Sequence, residues 1–218
     1  MLKLRFDQNG MKPTGWVLCL GAHSDDIEIG CGGTLLRLVQ EYPDLRFYWV
    51  VFGASGHRVE EARASAEEFL APVKEKRICI EGFRDGFFPY QGADIKEYFE
   101  RLKCEISPTL IFTHFRNDLH QDHRQICELT WNTYRNHLVL EYEIPKYDGD
   151  LGSPNFFVHL DKEQCQQKAA AILRHFRTQE NKDWFTEETF LALMRIRGIE
   201  SKAPNGYAEA FYGRKIAI

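Results

Sequence analysis

Short runs of consecutive apolar residues alternate along the chain with stretches in which apolar positions recur every third or fourth residue. Trp16-Val17-Leu18-Cys19-Leu20 and Phe47-Tyr48-Trp49-Val50-Val51-Phe52 lack polar alternation and predict strands buried on both faces. Arg77-Ile78-Cys79-Ile80 and Thr109-Leu110-Ile111-Phe112-Thr113 predict two more. Between these runs the spacing predicts helices over 32–41, closed near Pro43, over 59–70, and over 95–106, where Tyr98, Phe99, Leu102 and Ile106 share a face and Pro108 ends the segment. Buried strands joined by helices predict an α/β fold: a three-layer sandwich with a Rossmann-like, mostly parallel sheet.

Beyond Thr130 the pattern changes. Residues 138–143 and 156–160 read as strands flanking a turn-rich segment from Pro145 to Pro154, and helices are predicted over 162–177 and 186–197. Residues 202–218, punctuated by Gly, Pro and Asn, read as a surface-packed loop or an edge strand. With no repeat or linker, residues 1–218 are read as a single domain, within the roughly 250 residues one core supports.

A net charge of -4 gives no basic field for nucleic acid and no polybasic stripe for anionic lipid. No apolar run approaches the roughly 20 residues of a membrane span, and Met1–Asp7 lacks a signal-like stretch. The six cysteines form no Cys-x-x-Cys pair, so free thiols and a cytoplasmic setting are expected. A homo-oligomer is neither indicated nor excluded.

The candidate chemistry sits in two clusters. Gly21-Ala22-His23-Ser24-Asp25-Asp26-Ile27-Glu28 follows the first strand, and Asp118-Leu119-His120-Gln121-Asp122-His123 follows the fourth. In open α/β sheets, sites form beyond the carboxyl ends of the strands, and right-handed crossovers bring such loops to one edge. Two histidines and a carboxylate for a divalent ion, with a carboxylate left over as a base, are the parts of a metal-assisted hydrolase. Each residue also has a bland reading: Asp25, Asp26 and Glu28 as acids at a helix N-terminus, and His120 and His123 as surface residues of a helix start. Gly30-Cys31-Gly32-Gly33 lacks the dinucleotide-binding spacing, and the adjacent Asp25 and Asp26 would repel a pyrophosphate.

These residues resemble the LmbE-like, or PIG-L, N-deacetylase family. The signature A-H-P-D-D-x-E-x-G-C-G-G-T matches Ala22 to Thr34 except that Ser24 replaces proline, a change expected to alter only turn rigidity. The signature T-H-x-x-x-D-x-H-x-D-H matches Thr113 to His123 throughout, and Gly82–Gly86 and Tyr207–Phe211 are also similar. The resemblance implies a zinc-dependent hydrolase of N-acetyl groups on amino sugars or their conjugates, such as N-acetylglucosamine, with Fe(II) able to replace zinc in some members. By position, His23, Asp26 and His123 would be metal ligands, Asp25 the general base, and His120 the acid or oxyanion stabiliser. Asp122 would orient a neighbouring imidazole, and Asp122 or Asp118 would keep His120 charged.

Arg58, on the loop after the second strand, Asp85, on the loop after the third, and Asp118 are candidate substrate contacts; the first two read equally as structural ion pairs. Phe87-Phe88-Pro89-Tyr90 could stack a sugar but reads better as core, Cys31 as silent, and His57, His114, His137, His159 and His175 as structural. Two rival readings are a mononuclear Fe(II) oxygenase, whose facial triad His23-x-Asp25 plus a distant histidine imitates, and a catalytically silent sugar-binding homologue.

Overall fold

The computed structural model describes residues 14–216; the Met1–Asp7 stretch and the last two residues lie outside them. The elements are β1 (Trp16–His23), α1 (Asp26–Glu41), β2 (Arg46–Gly53), α2 (His57–Phe69), β3 (Lys76–Ile80), α3 (Gly92–Glu105), β4 (Pro108–His114), α4 (Gln121–Thr133), β5 (Leu138–Tyr142), β6 (Phe156–Leu160), α5 (Lys162–His175), α6 (Glu187–Glu200) and β7 (Tyr207–Gly213). They build one seven-stranded sheet in the order β3-β2-β1-β4-β5-β7-β6. β1 to β5 are parallel, and β7 runs antiparallel to β5 and β6.

The uninterrupted apolar runs are explained by two helical layers. From β1 and β2, Val17, Cys19, Phe47, Trp49 and Val51 pack with Ile27, Leu35, Ala62, Ala169 and Ile172 of α1, α2 and α5. The alternate residues Leu18, Leu20, Tyr48, Val50 and Phe52 pack with Ile95, Phe99, Leu102 and Ile126 of α3 and α4. This is the expected three-layer α/β sandwich, and the order reverses at β1, so the carboxyl ends of β1 and β4 flank a topological switch point. Among the described residues no helix is long and apolar enough to cross a membrane.

Three expectations are corrected. α1 begins at Asp26 rather than near residue 32, so Gly30, Gly32 and Gly33 lie inside the helix. Their small size admits neighbours: a Cβ on Gly30 would stand 2.1 Å from the Tyr142 ring. β7 is neither loop nor edge strand, because it lies between β5 and β6. Arg58 lies in the first turn of α2 rather than on the preceding loop.

Substituting Gly30→Ala forces that contact, and overpacking of this kind costs roughly 1–3 kcal/mol. A urea titration is expected to show a lower midpoint with an unchanged slope.

Candidate active site

β1 ends on His23, α1 begins three residues later, and α4 opens just beyond β4, so both clusters meet at the switch point. Asp25 occupies the N-cap of α1, yet its side chain makes no capping hydrogen bond. A capping carboxylate normally accepts an N–H from the first turn; this one is held elsewhere, with Oδ1 3.6 Å from Arg58 Nη2. α4 is capped by His120, whose Nδ1 accepts the Asp122 N–H at 3.3 Å.

His23 Nδ1 lies 3.1 Å from His123 Nε2 and 3.3 Å from Asp26 Oδ2, while Asp26 Oδ1 lies 3.5 Å from His123 Nε2. Donors bonded to one tetrahedral ion at about 2.0–2.2 Å stand roughly 3.3–3.5 Å apart, so these three side chains are spaced as ligands are. The far nitrogen of each ring is held by carboxylates: His123 Nδ1 by Asp118 at 2.9 Å, His23 Nε2 by Asp85 at 3.2 Å and Asp122 at 3.3 Å. Protons placed on those outer nitrogens leave both inner lone pairs aimed at Asp26, the tautomers that ligation requires. Burial, with His114 adding to it, pushes His123 down to about 3, which keeps it neutral. Burial opposes charge on His23 as well, but Asp26, Asp122 and Asp85 outweigh it and hold the imidazole well above its ordinary value.

Among the described residues the side chains able to hold a metal form three overlapping groups: His23/His120/His123, Asp26/His114/His123 and His23/Asp85/Asp122. They share His23 and His123 and so outline one basin. The trio His23, Asp26 and His123 draws on all three groups. It is favoured because its facing atoms have ligand-like separations and both of its rings are fixed from behind.

The surrounding candidates fall into place differently from one another. Asp122 touches His23 and accepts the Gly86 and Phe88 amides, at 2.6 and 3.1 Å. Asp118 is buried with Oδ1 on the His120 amide and Oδ2 on His123 and Lys146, which leaves no free oxygen for a substrate. Neither carboxylate forms an ion pair with the His120 ring, and burial followed by the charge of His23 lowers that imidazole, so it is not kept charged as the sequence reading expected. Arg58 and Asp85 pair at 3.0 Å at the pocket edge. Ser24 has a second role besides turn rigidity: its Oγ accepts the Arg58 Nε–H at 3.0 Å. The Asp25 carboxyl is raised, first by burial and then by Asp26.

The basin opens into a cavity of about 200 Å³ lined by His23, Asp25, Asp26, Arg58, Asp85, His120 and His123. Its outer wall is Ile144, Lys146, Tyr147 and Asp148 from the β5–β6 loop, with Lys182 and Trp184 from the α5–α6 loop. Tyr147 Oη accepts the Asp183 amide at 3.3 Å, joining the two loops. Lys182 lies over the Trp184 ring, 5.4 Å from its centroid. Sequence reading missed this wall because its residues lie on loops without periodicity. His114, read as structural, stacks on His123 with centroids 4.0 Å apart, and its Nε2 accepts the Ala22 N–H at 2.9 Å and lies 3.3 Å from Asp26.

The family described as GlcNAc-PI de-N-acetylase, PIG-L, matches residues 18–134, more than half of the chain. The chain belongs to the PIG-L family. Both signature segments fall within the matched region, which ends just after α4. Outside the family profile, the chain is similar to the uncharacterized deacetylase YaiS of Escherichia coli K12, 28% identical over 170 residues that cover 73% of this chain and 89% of that protein. Two solved structures share the PIG-L fold seen here. N,N'-diacetylchitobiose deacetylase from Pyrococcus horikoshii has a TM-score of 0.64 at 20% identity, covering 92% of this chain and 84% of its own. GalB, the 4-carboxy-2-hydroxymuconate hydratase of Pseudomonas putida KT2440, has a TM-score of 0.68 at 18% identity, covering 95% and 98%.

Glu28 of the first signature is fully buried, and neither of its oxygens has a hydrogen-bond partner. Burial raises its carboxyl well above 4.5, so above that pH the folded state keeps a proton the unfolded chain has released. Stability then falls as pH rises through this window. Glu28→Gln removes that slope: the metal-free variant is expected to melt progressively higher than wild type as pH is raised from 4.5, in parallel thermal scans.

Proposed function

We propose that the protein is a metal-dependent N-deacetylase of an acetylated amino sugar or its conjugate. The observation that carries this reading is a carboxylate at a helix N-cap that does not cap: Asp25 stands beside a ligand-spaced trio on the wall of a sugar-sized cavity. When bound by His23, Asp26 and His123, a divalent ion, zinc or Fe(II), would polarise the acetamide carbonyl and acidify the attacking water, for zinc to a pKa of roughly 7.

The chain's own groups do the rest. Asp25 takes a proton from the attacking water; burial raises its carboxyl while Arg58, His23 and Lys182 restrain the rise, which suits a base near neutral pH. His120 accepts the Asp122 amide at Nδ1, so in its neutral form it carries its proton on Nε2. From there it donates to the carbonyl oxygen as negative charge develops, and the proton held by Asp25 passes to the departing amine. Asp122 and Asp118 keep the His23 and His123 rings in place from behind. Arg58 and Asp85, fixed on each other and on Ser24, offer a cation and an acceptor to sugar hydroxyls or a phosphate. Tyr147 and Trp184 supply the apolar surface on which a ring stacks.

The rival readings fit less well. The oxygenase reading expects a double-stranded β-helix, whereas this sheet is mostly parallel and covered by helices. A silent binder would need a missing catalytic side chain, and Asp25 and His120 both line the cavity.

The test is incubation of the metal-loaded protein with a panel of N-acetylated sugars and conjugates, measuring acetate and free amine. A muconate-type hydration assay serves as control because the fold also carries a hydratase. Release of neither product from any substrate counts against the reading. Asp25→Asn and His120→Ala are each expected to lower turnover roughly 10²–10⁴-fold with bound metal unchanged. Trp184→Ala is expected to raise KM with little change in kcat, as loss of binding shared by ground and transition states does.

A further inference from the structure

α1 carries Asp26 in its first turn, and one turn further on, its backbone is engaged by two distant charged side chains. Glu209 of β7 accepts the Gly33 N–H through Oε1 at 2.8 Å and the Thr34 N–H through Oε2 at 2.6 Å. Lys168 of α5 donates to the Ile29 carbonyl at 2.6 Å and to Glu209 Oε1 at 2.6 Å. In a regular helix the Gly33 N–H points at the Ile29 carbonyl. The carboxylate and the ammonium thus sit on the two ends of one rung of the ladder. Both are dry, Lys168 at 3% and Glu209 at 4% exposure. Gly33 makes room for them, because a Cβ there would meet Glu209 Oε1 at 3.1 Å and Leu160 at 2.6 Å.

We infer that Lys168 and Glu209 are positioning residues for the metal centre: the pair grips the Ile29–Gly33 rung of α1, one turn beyond Asp26, and so sets where the leading turn bearing Asp26 sits against the sheet. A buried ion pair is poor evidence of stabilisation by itself, and this one is fastened to the backbone of α1, so what it contributes is geometry. The inference rests on the reading of His23, Asp26 and His123 as ligands. An internal control is available in a second buried pair, Arg197–Glu143 at 2.8 Å. Its other partners are Glu200, Gly152 and Tyr212, and its hydrogen bonds involve no group of α1.

The experiment compares Glu209→Gln, Lys168→Met and the milder Lys168→Arg with the control Arg197→Met, using full-length metal-free protein. Thermal melts, Co²⁺ affinity by competition with a chelating dye, and the visible absorption of the Co²⁺ complex are measured for each. Glu209→Gln, Lys168→Met and Arg197→Met are all expected to melt lower. Only the Glu209 and Lys168 variants are expected to bind Co²⁺ about 10–100-fold more weakly, the range for lost supporting partners of ligands, with an altered Co²⁺ spectrum and Lys168→Arg intermediate. Should Glu209→Gln fail to fold, the two Lys168 variants carry the comparison. Unchanged Co²⁺ affinity in folded variants, or equal weakening by Arg197→Met, overturns the positioning role alone. Absence of Co²⁺ binding by wild type overturns the ligand assignment and this inference with it.

Discussion

Two parallel strands whose carboxyl ends lie side by side at the reversal of the sheet bring His23 Nδ1, His123 Nε2 and both oxygens of Asp26 together in a buried basin, with facing separations of 3.1–3.5 Å. That crowding of polar atoms out of water is costly unless positive charge lies among them, and the carboxylates that hold the His23 imidazole well above its ordinary value favour such charge there. Much of the neighbourhood can be understood as an answer to it. Asp118, Asp122 and Asp85 draw protons to the outer ring nitrogens, and Lys146 balances Asp118 in turn. The burial that makes this basin costly also makes its charges effective, since nearby water would screen them.

The central strands were legible because both faces of the sheet are covered, which leaves uninterrupted apolar runs such as Phe47–Phe52. The start of α1 was misread for the opposite reason. Gly30, Gly32 and Gly33 look like turn residues, but their lack of side chains admits Tyr142, Phe69 and Glu209 against a helix. β7 was obscured by the same interaction, since Glu209 faces inward where an apolar residue would have marked a strand. The two His/Asp clusters were legible as spacing. Which carboxylate serves which ring was not, because that depends on contacts nearly a hundred positions apart, such as His23 with Asp122.

Ser24 shows how one departure from a family signature changes more than backbone stiffness. Proline cannot accept the Arg58 Nε–H, and the serine does so while buried. Arg58 is thereby fixed between Ser24, Asp85 and Asp25, and its charge is part of what restrains the rise of the Asp25 carboxyl. A residue between His23 and Asp25 thus acts on both the edge of the cavity and the carboxylate at its floor.

The far side of the cavity comes from residues 144–148 and 182–184, beyond the stretch that matches the family, whereas the basin lies within it. The outer wall and the basin thus come from different lengths of chain, tied together where Lys146 of the wall pairs with Asp118 behind His123. Tyr147 and Trp184 sit on connections whose length and composition can change without disturbing the sheet. Changes in those two connections would reshape the mouth of the cavity while leaving the strands that carry its floor in place.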